Sequence, residues 1–133
     1  MKSSAVARYS PYLLSTLRMV AAFLFIAHGT QKLFGFPVSA PRPGVALLSL
    51  MGAAGVLEAF GGLLMLLGLL TRPVAFILAG QMAYAYFSSH APRGPWPILT
   101  GGELAALYCF IWLYFVAAGP GPWSLDAAWR KKA

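Results

Sequence analysis

Four apolar blocks separated by Pro- and Gly-rich breaks constrain this chain more than any other feature. They occupy about residues 12–34, 45–70, 73–89 and 103–118. A helix needs roughly 20 apolar residues to cross the hydrocarbon core of a bilayer, and each block reaches or approaches that length. The last two are short and call for little tilt or a locally thinned bilayer. The breaks at 35–44, 71–73, 91–95 and 119–122 remove amide donors and favour turns. The expected fold is therefore all-α: an integral membrane bundle of four transmembrane helices forming a single transmembrane domain over residues 1–133.

Composition agrees. Only 10% of the residues are charged and 59% are apolar, whereas a soluble domain carries about a quarter charged residues. Ten Lys and Arg against three Asp and Glu is a balance that nucleic-acid binders share, but the distribution argues for a membrane. With four spans, Lys2, Arg8, Arg72, Arg130, Lys131 and Lys132 share one side, and Lys32, Arg42 and Arg93 the other. Positive charge stays cytoplasmic, which predicts both termini inside. The basic residues form no aromatic-interleaved surface of the kind nucleic acid needs. A cleaved signal peptide is disfavoured, because the apolar stretch 19–27 leads into His28-Gly29-Thr30-Gln31-Lys32 rather than a small-residue cleavage site. The single cysteine, Cys109, rules out an internal disulfide or a dithiol pair.

Ionisable groups inside a bilayer are expensive and face inward. Glu58 lies halfway along the second block, about 20 Å from either end at ~1.5 Å per residue. Its helical neighbours Ala54, Gly55, Gly61 and Gly62 form a small-residue face for another helix. Arg18, on the first block, is the expected partner through a two-pronged bond to the carboxylate. That pair would be a structural clamp or would hold a proton-handling carboxylate; a neutral Glu58 bonded to backbone is the third option. His28, Gln31 and Lys32 fall at i, i+3 and i+4 and so on one broad face. Lys32 would snorkel to the interface or, with His28, anchor a ligand carbonyl. Gln81 is placed to donate to Glu58 or to a ligand. Ala75, Ala79 and Ala83 form a close-packing ridge, and His90 is expected to be solvated.

Thr100-Gly101-Gly102-Glu103 reads as a capping box. No His, Cys or Glu pair has strong metal-ligand spacing, so no metal is expected. The aromatics 108–115 are core or interfacial residues, some suited to wall a flat ring. Beyond the last break, Ser124 should cap a short amphipathic segment. Asp126 suits its positive end and Arg130-Lys131-Lys132 its negative end, with the segment lying on the cytoplasmic membrane surface.

Three blocks in this order resemble the DoxX family of small bacterial integral membrane proteins. They are Leu17-Arg18 with Phe25-Ile26-Ala27-His28-Gly29-Thr30-Gln31-Lys32, then Glu58-Ala59-Phe60-Gly61-Gly62 through Thr71-Arg72, and finally Gly119-Pro120-Gly121-Pro122-Trp123-Ser124-Leu125-Asp126. The resemblance implies a four-helix bundle in the bacterial inner membrane, with Arg18, His28, Gln31, Lys32 and Glu58 at the family's motif positions. It further implies a membrane subunit of a quinone-linked oxidoreductase, similar to a thiosulfate:quinone oxidoreductase. On that reading Glu58 and His28 are the catalytic candidates. Arg18, Gln31, Lys32 and Gln81 would bind quinone or substrate, and a partner protein or a bound cofactor would supply electrons. The alternatives are a non-catalytic scaffold or assembly factor, or a small transporter; self-association fits any of them. A shared fold does not fix the chemistry.

Overall fold

A computed structural model describes residues 5–37 and 44–132. Lys2 and Arg42, which enter the charge balance above, lie outside the described residues. Those described are helical and include no strand.

A 3-10 turn at Ala5–Tyr9 leads into α1, Ser10–Phe34. α1 stops where Gly35 takes a left-handed conformation (φ 65°), which costs glycine nothing. α2, Leu50–Leu67, starts later than the apolar run suggests. The Ser49 hydroxyl accepts the Gly52 amide and fixes the N-terminus there. α2 ends where Gly68 turns left-handed (φ 67°), three residues before the apolar run gives out. Between these ends the helix widens into a π-helical turn at Leu57–Gly61.

α3, Thr71–Ala85, holds Pro73 within its first turn, where a missing amide hydrogen is no loss. It too continues into a π-helical turn, Tyr86–His90. α4 covers Glu103–Ala118 and α5 covers Leu125–Arg130. Ser124 caps α5 through the Ala127 amide, as its position suggests.

The capping box at α4 does not form. Its N-cap is Gly102, with no side-chain cap, and the Thr100 hydroxyl bonds the Pro97 carbonyl inside a separate turn, Pro97–Thr100. A β-carbon at Gly102 would lie 2.8 Å from His90 Cβ, so the packing leaves no room for a capping side chain there.

The small-residue faces do bring helices together. A β-carbon on Gly29 would sit 2.3 Å from the Ala59 amide nitrogen and 2.8 Å from the Gly55 carbonyl, so α1 and α2 meet backbone to backbone. Gly62 admits Ile26, and Gly61 admits Leu78 of α3. Ala75 and Ala79 are buried in the extensive α3–α4 contact. The core is aromatic at its centre: Trp112 and Phe115 are fully enclosed, with Phe25 and Tyr108 beside them. Phe25 stands 5.0 Å from Tyr108 and 5.3 Å from Trp112, ring to ring, a spacing favourable for tilted and edge-on pairs.

Two helical stretches, Ala5–Phe34 and Leu50–Leu67, are long and apolar enough to cross a membrane. Only 28% and 33% of their most apolar windows are buried within the protein. Most of that apolar surface therefore faces outward, unlike the core helix of a soluble domain.

Candidate functional site

The two π-helical turns border one cavity, and they carry Glu58 and His90 to its wall. Inserted residues of this kind re-aim the side chains of a helix and are frequent at functional sites. The cavity encloses about 250 Å³ between α1, α2, α3 and α4. Phe25, His28, Lys32, Glu58, His90 and Tyr108 contribute its chemistry, with Met82, Ala85, Leu104 and Ala105 as apolar wall.

At its floor Lys32 Nζ lies 2.6 Å from Glu58 Oε1 and 2.5 Å from Oε2. Gln81 Nε2 donates to the same Oε1 at 3.0 Å and more weakly to the Ala54 carbonyl at 3.3 Å. The Glu58 side chain is 3% exposed and that of Lys32 27%, so the carboxylate is sealed while the ammonium remains open to the cavity. A buried ion pair of this kind needs further hydrogen bonds to offset desolvation, and Gln81 supplies one. His28, on the turn below Lys32, meets the Tyr108 ring edge-on at 6.5 Å. His90 Nδ1 lies 2.9 Å from the Thr100 carbonyl and 2.9 Å from Arg93 Nη2. The first contact needs a proton on Nδ1 and the second a lone pair, so they are alternative states of one histidine.

The partner of Glu58 is thus Lys32, not Arg18. α2 begins at Leu50, and its Glu58 region faces Gly29, eleven residues along α1 from Arg18. That separation is about 16 Å at ~1.5 Å per residue, beyond the reach of a guanidinium. Gln31 also leaves the expected group: exposed, it donates to the Pro37 carbonyl at 3.0 Å and holds the loop after α1. His28, Lys32 and Glu58 come together, Gln81 supports them from behind, and Arg18 and Gln31 do not join them. Tyr108 and His90 do join them. Tyr108 lies on the stripe Ala105, Tyr108, Trp112, Phe115, whose helical spacing marks it as inward but gives no hint of a cavity.

Arg18 works at the opposite end. Fully buried, it donates from Nε to the Met65 carbonyl at 2.8 Å and from Nη2 to the Trp123 carbonyl at 2.6 Å. It also reaches Leu66 and Pro120. Met65 and Leu66 belong to the last turn of α2, where carbonyls carry partial negative charge; that of Met65 also accepts the Gly68 amide at 3.1 Å. The guanidinium therefore ties the end of α2 to the 120–123 turn. Ser15 accepts the Trp123 amide there at 3.2 Å. Asp126 caps α3 rather than merely facing the start of its own helix, with one oxygen on the Leu70 amide and the other on Thr71, both at 2.9 Å. Burial works against its charge, but these amides and nearby Arg130 prevail and hold the carboxyl below the ordinary aspartate range. Arg72 closes the set, donating to the Val116 and Ala117 carbonyls at the end of α4.

Among the described residues no three His, Cys, Asp or Glu side chains are grouped to hold a metal. Cys109 is a free thiol.

Outward-facing apolar helices around a small polar cavity define a helical protein of membrane type. The chain belongs to the DoxX family, a membrane-associated family whose profile matches residues 13–91. That stretch carries α1 to α3, including Lys32, Glu58 and both π-helical turns. The chain is also similar to an uncharacterized protein of Haemophilus influenzae, 47% identical over 129 residues that cover 94% of this chain and 96% of that one. No solved structure matches it.

Proposed function

We propose that this protein is a multi-pass component of the bacterial inner membrane, with four spanning helices and both termini cytoplasmic. In this reading it is the membrane subunit of a quinone-linked oxidoreductase, and the cavity receives the quinone ring or a small substrate. The carrying observation is the meeting of Lys32, Glu58, His28, His90 and Tyr108 around one apolar-walled space. At about 250 Å³ it falls below the ~300–1,000 Å³ typical of drug-sized ligands. It suits a single ring whose tail extends between helices.

The donor set fits such a ring. Lys32 and the Tyr108 hydroxyl can donate to a quinone oxygen, and Phe25 and Tyr108 offer aromatic walls. A quinone, when bound, accepts two electrons and two protons. His28 and the Lys32–Glu58 pair are the groups able to hold and pass protons at that place. With one thiol in the chain, a dithiol within it cannot supply the electrons, which come from a partner protein or a bound cofactor.

Binding of a short-chain quinone to the purified protein, followed by quenching of Trp fluorescence, tests this. Glu58→Gln and His28→Ala variants that still fold should bind at least about tenfold more weakly, a change of ~1.4 kcal/mol. Failure of the wild type to bind, or binding unchanged in both variants, would remove the quinone from the account. Stability that depends on a partner chain, with no small ligand, would then favour a scaffold or assembly role.

A further inference from the structure

A second recess, of about 320 Å³, lies between the start of α3 and the C-terminal helix α5, far from the polar cavity in the fold. Thr71, Arg72, Pro120, Asp126, Trp129 and Arg130 shape it. We propose that it binds the phosphate of an anionic phospholipid headgroup. The proposal rests on the bilayer reading above but not on the quinone.

Charge is the first argument. Arg72 and Arg130 bring two positive groups, and neither forms an ion pair; among the described residues the ion pair is Lys32–Glu58. Asp126 is the one carboxylate present, and each of its oxygens already accepts a backbone amide. Two cations against one anion leave the recess with one net positive charge and a carboxylate committed to backbone. Arg72 uses Nη1 for the carbonyls of α4, and Arg130 makes a long contact of 3.4 Å through Nε alone. Each guanidinium keeps other donors for phosphate oxygens, which it matches in geometry.

A buried hydroxyl is the second argument. Thr71 is 1% exposed, and its hydroxyl helps to hold the Asp126 carboxylate ionised. A hydroxyl also has acceptor lone pairs, and those of Thr71 can take a hydrogen bond from a headgroup hydroxyl or water.

Position decides between a lipid and a free anion. The recess lies where α2 and α4 end and α3 begins, beside an exposed Trp129. Tryptophan and arginine at such a level mark the headgroup region. Phe76 and Ile77 stand one turn along from Arg72 and Pro73, hence on the same face, and both are exposed. A phosphate held at Arg72 and Arg130 would let its acyl chains run down that apolar face.

Native mass spectrometry of the whole protein in detergent, titrated with phosphatidylglycerol, phosphatidylcholine or inorganic phosphate, tests the proposal. The expected result is one retained phosphatidylglycerol in preference to phosphatidylcholine. Arg130→Gln should weaken that binding about fivefold, as expected for one interfacial cation, while Lys132→Gln leaves it nearly unchanged. Both substitutions remove one charge from the same tail, so equal losses would mean diffuse attraction and overturn the site. Equal retention of the two lipids would overturn it as well, and displacement of the lipid by millimolar phosphate would make it a free-anion site. Arg130 caps no helix end, so its variant should fold. Fractionation of the wild type from cell extracts separates the failures. A protein that pellets with membranes but does not discriminate lipids loses only this site, whereas one that does not pellet loses the bilayer reading too.

Discussion

The two ends of the helices treat buried charge in opposite ways. Around Arg18, Ser15 and Asp126, charged and polar side chains meet backbone groups: the carbonyls ending α2, the amides starting α3 and the 120–123 turn. Around Lys32 and Glu58, charged side chains meet one another and border empty space. The first arrangement satisfies helix ends that would otherwise bury unpaired groups. It commits the Arg18 guanidinium and the Asp126 carboxylate to backbone groups. The second spends two charges on a mutual contact that the helix ends do not require, and it leaves the ammonium open to the cavity. A polar group that satisfies backbone reads as structure; a paired group facing a cavity reads as a site.

Breaking the knot should cost most. Replacing Arg18 with Met leaves the Pro120 and Trp123 carbonyls without their donors, each at about 1–3 kcal/mol. We expect about 3–5 kcal/mol of lost stability, read from thermal unfolding in detergent or from loss of the folded protein in membranes. A variant that unfolds like wild type would mean that the turn carbonyls find other donors.

The close helix contact beneath the cavity comes next. Gly29→Ala would push a methyl group into the α2 backbone, and overpacking against backbone costs about 1–3 kcal/mol or more. The same substitution at Gly80, which has nothing within 4 Å, should change stability by less than about 1 kcal/mol and serves as its control.

The cavity pair gives the sharpest contrast. Lys32→Met alone strands a sealed carboxylate, and about 2 kcal/mol of destabilisation is expected after allowing for the partly exposed ammonium. The double variant Lys32→Met with Glu58→Met should recover most of that loss, because replacing both partners of a buried pair is often neutral. Ligand binding should nevertheless vanish in the double variant. Recovered stability with retained binding would make the pair a clamp like the knot.

Asp126 contributes least. Its folded carboxyl titrates below the ordinary value of 3.8, so its share of stability is complete above that pH. The share is lost as pH falls through the folded value. Asp126→Asn should cost about 1 kcal/mol at neutral pH, as for a lost helix cap, and should flatten the acid limb of a stability–pH profile. An acid limb unchanged by the substitution would show that the carboxylate does not stabilise α3.

Much of this was legible in the chain itself. The apolar runs overlap α1 to α4, and that of α4 has the helix's own bounds, but the second run overshoots α2 at both ends, where Ser49 and Gly68 set the limits. The small-residue faces of α2 and α3 announced close contacts, and the polar exceptions Arg18, His28, Lys32, Glu58 and Gln81 stood out because apolar surroundings make such residues costly. Tertiary structure alone decided their partners. The register between α1 and α2 depends on where Ser49 caps α2 and where Gly29 meets Ala59, and a shift of a few residues moves a side chain by a whole turn. That register gave Glu58 to Lys32 and sent Arg18 to the carbonyls of α2. The two π-helical turns, and with them the places of Glu58 and His90 on the cavity wall, likewise depend on packing between helices rather than on any local pattern. Composition sets which groups must be buried inside the protein; only the assembled helices set what each one meets there.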